Sequence, residues 1–191
     1  MIETLYEPFR EWSSKGSVWI ISDTHFDDED RSYMKYNISE IEQIKRIKTK
    51  VHKPDTLIHL GDVGNPEYLK EIKAHKVLIM GNHDETATQF REYFDEIYTG
   101  PLVIAKNLIL SHEPIYISSC ATGNHVMYNI HGHDHSGKFI DSNHLNLAQN
   151  VYGYDPLNLK EFIKSGALKN VKSIHREIID AATKKKKKIV V

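Results

Sequence analysis

Five short polar blocks, each at the end of a strand-like apolar run, carry the residue types that can do chemistry in this chain: Asp23-Thr24-His25, Gly61-Asp62, Gly81-Asn82-His83-Asp84, Ser111-His112 and Gly132-His133-Asp134-His135. Imidazole and carboxylate groups suit zinc, manganese, iron or nickel, and a thiolate site is excluded because the chain has one cysteine, Cys120. Asp23 and His25 stand two apart just after Val18-Trp19-Ile20-Ile21, so an extended backbone would point both side chains the same way, toward one ion. His133 and His135 repeat that spacing after Met127-Tyr128-Asn129-Ile130, which predicts two imidazoles on one side of a strand end. Asp62 offers a carboxylate whose two oxygens can bridge two cations. Gly61 before it allows a sharp turn and a close pass to a bound ion. Asn82 offers a neutral amide oxygen, which ligates without adding negative charge.

Charge balance then favours an anionic substrate. Two divalent ions bring four positive charges against two anionic ligands, Asp23 and Asp62, and the remainder suits a hydroxide and a phosphate. Sites of this kind hold their ions roughly 3.5–4 Å apart, draw the nucleophile from water and clamp the attacked oxygens. The leaving group needs an acid. His83 stands beside Asn82, and Asp84 is expected to hold its imidazole in place and raise its pKa.

In order, the blocks read D-x-H, G-D, G-N-H-[D/E], H and G-H-x-H, and over about residues 18–162 the chain resembles the calcineurin-like metallophosphoesterases. Within that superfamily it looks like the small single-domain bacterial and phage enzymes, which often carry S-D-T-H-F, here Ser22 to Phe26. The resemblance implies one ion held by Asp23, His25, Asp62 and His135, and a second held by Asp62, Asn82, His112 and His133. His83 would contact phosphate and protonate the leaving oxygen. The implied cofactors are two divalent metal ions, manganese first, with zinc, iron or nickel open. The implied fold is α/β, a sandwich of two mixed sheets flanked by helices. Many relatives continue S-D-T-H with Gly-His, whereas here Asp27-Asp28-Glu29-Asp30 follows, which reads as a solvated acidic loop, with an extra cation as the sharper alternative. Arg31, Tyr33 and Tyr36 in the same loop are of a type that could bind phosphate or stack on a base.

The elements that must position these blocks alternate strand and helix, which argues an α/β class. Ser39 and Glu42 form a capping-box pattern, and Ile38, Ile41, Ile44, Ile47 and Val51 fall at helical spacing around and after it. Residues 66–73 and 86–94 read as short helices. Leu102-Val103-Ile104 and Leu108-Ile109-Leu110 read as a hairpin around Asn107, residues 143–147 as a late strand, and residues 157–164 and 171–182 as closing helices.

The other histidines divide by surroundings. His131 and His59 lie inside apolar strands and read as core histidines; His52, His75, His144 and His175 read as surface groups. His125 lies in a long irregular connection and is a candidate substrate contact.

At 191 residues the chain fits one domain, taken as residues 1–183 with a lysine-rich tail at 184–191. A single cysteine requires no oxidising compartment, no apolar run approaches the length of a membrane span, and the N-terminus has no signal-peptide core, so a cytoplasmic enzyme without a membrane partner is expected. Net charge is −1, but without Lys184, Lys185, Lys186, Lys187 and Lys188 the remaining 20 basic residues face 26 acidic ones. The body is therefore acidic and the lysine run reads as a solvated tail. The expected activity is hydrolysis of phosphodiester or phosphomonoester bonds in small phosphate esters by a hydroxide held in a dinuclear centre. The alternatives are a metal-dependent nuclease helped by the tail, disfavoured for want of a broad basic surface, and a non-catalytic binding module on the same fold.

Overall fold

The structure is a computed structural model that describes residues 1–29, 32, 34, 37–116, 127–137 and 141–169. In chain order come α1 (Glu7–Arg10), β1 (Val18–Ile21), α2 (Glu40–Lys50), β2 (Thr56–His59), β3 (His75–Ile79), α3 (Ala87–Phe90), β4 (Glu96–Tyr98), β5 (Leu102–Ala105), β6 (Leu108–Leu110), β7 (Tyr128–His131), β8 (His144–Asn146), α4 (Gln149–Tyr152), β9 (Leu157–Asn158) and α5 (Leu159–Lys164). They build two mixed sheets. The first has the order β4-β3-β2-β1-β9, with β1 to β4 parallel and β9 antiparallel to β1. The second has the order β5-β6-β7-β8, in which β5–β6 is an antiparallel hairpin and the other pairs are parallel.

Side chains alternate across a pleated strand, and in the first sheet both faces are apolar. Val18, Ile20, Ile58, Leu60, Val77 and Ile79 pack with Ile104, Leu108, Leu110 and Ile130 of the second sheet, which makes the pair a sandwich. Ile21, Leu57 and Leu78 point the other way, against Ile44, Ile47, Leu69, Ile72, Phe90 and Phe94. Ile47 is fully buried in that outer layer, so truncation to Ala costs about 2–5 kcal/mol.

The Ser39 hydroxyl accepts the Glu42 N–H and starts α2 as its sequence indicates. The buried stripe is narrower than expected: Ile44, Ile47 and Val51 are buried, whereas Ile41 is 78% exposed because it stands about 120° around the helix from Ile47. Residues 66–73 form a 3-10 helix at Pro66–Glu71, and residues 86–94 keep one α-turn at Ala87–Phe90. Leu157 and Asn158 are strand and not helix. They pair with Ile20 and Trp19 along the open edge of β1, and the Asn158 side chain then caps α5 by accepting the Glu161 N–H. The proposed helix over 171–182 and the tail at 184–188 lie outside the described residues, as do Arg31, Tyr33 and Tyr36. Among the described residues no helix is long and apolar enough to cross a membrane.

Candidate metal centre

The five blocks follow the carboxyl ends of β1, β2, β3, β6 and β7, where open parallel sheets place their ligands. There the chain leaves extended geometry. Asp23, His25, Asp62 and His133 have φ of 53°, 43°, 55° and 66°. Such backbone costs a non-glycine residue on the order of 1–3 kcal/mol and persists only where neighbours enforce it. The enforcing contacts come from other blocks. Asp23 N–H donates to Gly61 O at 2.9 Å, His25 N–H to Asp62 O at 3.1 Å, and His133 N–H to the Asp23 carboxylate at 3.0 and 3.1 Å. Asp23 and His25 are thus brought together by a left-handed turn, not by the pleat of an extended strand.

Among the described residues, ligand atoms lie within 4.8 Å of one another in a first group, Asp23, His25 and His135, and a second, Asp62, His112 and His133; a further set, His25, Asp28 and His83, shares His25 with the first. Ligands held about 2.0–2.2 Å from one ion stand no more than about 4.4 Å apart, so each group is compact enough for one ion to draw its atoms together. Asn82 joins the second group, its Oδ1 lying 2.8 Å from His112 Nε2 and 2.9 Å from His133 Nδ1. His133 and His135 therefore serve different groups, and the expectation of two imidazoles on one side of a strand end is corrected. The left-handed turn at His133 sends its ring to His112, at 5.0 Å between centroids, while the His135 ring lies 5.2 Å from that of His25. Asp62 stands between the groups. Its Oδ1 accepts the His83 N–H at 2.9 Å, and its Oδ2 lies 3.6 Å from His25 Nε2 and 3.3 Å from His112 Nε2.

Three imidazoles have their second nitrogen tied down. His25 Nδ1 lies 3.0 Å from Asp28 Oδ2, His112 Nδ1 donates to Leu60 O at 2.8 Å, and His135 Nδ1 is 2.7 Å from Asn150 Oδ1. Outer acceptors of this kind fix the tautomer and leave the Nε2 lone pair facing inward, as a metal ligand requires. Asp28 had read as part of a solvated acidic loop, and Asn150 carried no sequence signal. Asp27 is also engaged, accepting from Asn65 and Tyr68. Beneath the blocks, His59 Nδ1 accepts the Gly61 N–H at 3.1 Å, so its Nε2 carries the proton and donates to Thr24 Oγ1 at 2.9 Å. Burial pushes His59 down to about 3, which keeps it neutral in this structural role.

Gly61 (φ 96°) serves contact between blocks: a Cβ there would lie 2.4 Å from Gly81 N. Gly132 is equally constrained, for its Cβ would fall 1.9 Å from Ser22 Oγ and 2.1 Å from Asp23 Oδ2.

Asp84 does not take the part expected of it. Its Oδ2 accepts from Gly81 N at 2.8 Å and Asp62 N at 2.9 Å, and its Oδ1 from Val63 N at 3.0 Å, so the carboxylate is spent on clamping two blocks. The His83 imidazole is exposed at the mouth of the site, edge-on to His25 at 5.3 Å between centroids.

The electrostatics favour added positive charge. Burial pushes the Asp23 carboxyl up and the His25 imidazole down. Burial also opposes ionisation of Asp62 and His112, but their mutual hydrogen bond and attraction prevail, bringing Asp62 down to about 2 and His112 up to about 9. Without a cation, a proton on His112 meets the demand of the buried carboxylates. The donor set, its spacing and its inward lone pairs fit divalent metal ions.

Of the remaining candidates, His125 lies outside the described residues. His131 is a core histidine whose Nδ1 donates to Gly132 O at 2.7 Å. His144 is buried and not at the surface, its Nδ1 bonded to the Asp141 carboxylate and its Nε2 3.2 Å from Ile115 O, because β8 is drawn in beside β7.

The Calcineurin-like phosphoesterase superfamily domain matches residues 17–150, and the chain belongs to that superfamily. A crystal structure of a protein of unknown function, AQ665, from Aquifex aeolicus is 27% identical, with a TM-score of 0.61 over 78% of this chain and 98% of that one. The crystal structure of Pseudomonas putida nuclease MPE is 21% identical, with a TM-score of 0.43 over 61% of this chain and 60% of that one. No match was found among curated proteins.

Proposed function

We propose that this protein hydrolyses phosphodiester or phosphomonoester bonds of small phosphate esters at a dinuclear metal centre. The observation that carries this reading is the position of Asp62 Oδ2, 3.6 Å from the nearest nitrogen of one ligand group and 3.3 Å from that of the other. One oxygen so placed is suited to bridge two cations. Asp23, His25, His135 and Asp62 would hold the first, and Asp62, Asn82, His112 and His133 the second, with manganese the first metal to test. Two divalent cations, when bound, lower the pKa of water and stabilise charge on phosphate oxygens.

The chain's own contribution is placement. Asp28, Leu60 O and Asn150 hold three imidazoles in their working orientation, and the interlocked blocks fix both carboxylates. His83, exposed beside the His25 ring, would donate a proton to the departing oxygen. With Asp84 engaged elsewhere, the carboxylate near the His83 ring is that of Asp28, within 4.8 Å of it.

Metal content by elemental analysis, followed by hydrolysis of bis-p-nitrophenyl phosphate and p-nitrophenyl phosphate with added Mn²⁺, tests the reading. Two metals per chain and metal-dependent turnover are expected; a protein that binds metal yet hydrolyses neither ester overturns it. His83→Ala should keep both metals and lose about 10²–10⁴ in turnover, more on an alkyl ester than on the nitrophenyl ester, whose leaving group needs no proton. Equal losses on both esters would make His83 a phosphate-positioning group.

A further inference from the structure

A cleft of about 340 Å³ opens beside the second ligand group, between the turn that joins β4 to β5 and the segment that follows β6. Asn82 and His112 are among its walls, so an occupant borders that group. His83 is not among its walls. The two sides of the centre therefore differ: a departing oxygen has its proton donor on the His83 side, and the cleft is left for a substituent that stays on phosphorus. A monoester has no such second substituent, whereas a diester does.

The walls specify what that substituent is. Met80, Pro101, Pro114 and Ile115 present aliphatic surface. Among the described residues, the only ionisable side chain in the walls apart from His112 is Glu113, which is exposed. Its negative charge opposes a further phosphate, so the site suits a neutral group and not the next unit of a polyanion. The volume lies at the small end of ligand pockets, which span about 300–1,000 Å³. That is room for one ring-bearing unit. Resting on the phosphoesterase reading above, we infer that the substrate is a phosphodiester whose retained substituent is a single uncharged group of nucleoside size, seated in this cleft.

Gly100 lets the cleft be filled without breaking the fold. It lines the cleft, its backbone is not left-handed, and an added Cβ would meet nothing within 4 Å. The test compares thymidine 5′-p-nitrophenyl phosphate with methyl p-nitrophenyl phosphate on the Mn²⁺-loaded protein. The two esters share the leaving group and differ only in the retained substituent. The unaltered protein should prefer the thymidine ester in kcat/KM by at least about tenfold, the usual worth of filling an apolar pocket. Gly100→Trp should abolish that preference, chiefly by raising KM for the thymidine ester, and Ile115→Trp, reaching in from the segment after β6, should do the same.

Equal kcat/KM for the two esters in the unaltered protein, or a preference that survives both tryptophans, overturns the cleft assignment while leaving phosphoesterase activity standing. A higher kcat/KM on single-stranded oligothymidylate than on the thymidine ester also overturns it, in favour of strand cleavage. Failure on both diesters with p-nitrophenyl phosphate still hydrolysed overturns the cleft assignment and leaves a phosphomonoesterase, whereas failure on all three esters removes the phosphoesterase reading itself.

Discussion

Replacing Asp84 by Asn separates its two possible roles. As an orienter of His83 it would affect proton donation and leave stability nearly unchanged. As the clamp the structure contains, it accepts three backbone N–H groups from a position that is 6% exposed. The amide of Asp84→Asn can keep one oxygen toward the two donors of Gly81 and Asp62, but its NH₂ then confronts the Val63 N–H. One buried donor is left unsatisfied at about 1–3 kcal/mol, and two charge-assisted bonds become neutral ones at about 1 kcal/mol each. The lower cost of burying an amide than a carboxylate offsets on the order of 1 kcal/mol, which leaves a net loss of about 2–4 kcal/mol. Urea denaturation of the metal-free protein reads this as a lower midpoint at unchanged slope. Because the weakened bond to Asp62 N–H supports the bridging candidate, metal affinity should fall as well. A stability loss below about 0.5 kcal/mol, the scale of a neutral surface change, combined with a selective loss on esters with poor leaving groups, would refute the clamp and restore Asp84 to His83.

Asp28→Ala removes the acceptor on His25 Nδ1 and should weaken metal binding about 10–100-fold by calorimetry, with Asp28→Asn recovering part of the loss. The side chain is 26% exposed, so the melting temperature of the metal-free protein should hardly move; a large drop would mark Asp28 as structural instead. Gly132→Ala forces a methyl group into Ser22 and Asp23, so about 1–3 kcal/mol of stability and occupancy of the Asp23 group should be lost, and a crystal structure with Asp23 undisturbed would contradict this. Metal binding at neutral pH should release a proton from His112, whose pKa stands near 9 in the cation-free protein, and affinity should rise about tenfold per pH unit up to that value. Calorimetry in HEPES and in Tris checks this, and equal apparent enthalpies in the two buffers would show that no proton is released.

The candidate donors and the frame were legible in the sequence. Local signals sufficed there: Ser39 caps α2, apolar alternation runs through β1 to β3, and each polar block ends such a run. The order of the blocks, set against a family pattern, also supplied the division of ligands into two groups, which spacing alone did not. Where the side chains point depended on contacts between distant segments. Non-glycine residues enter the left-handed region when distant contacts compel them, and His133 is held there by Asp23, 110 residues away in the chain. The same cause hid Asp84 and Asp28. A carboxylate accepts from any donor that packing brings to it, and the partners of these two were fixed by loops crossing at the sheet ends: the amides after β2 and β3 for one, the turned-back ring of His25 for the other.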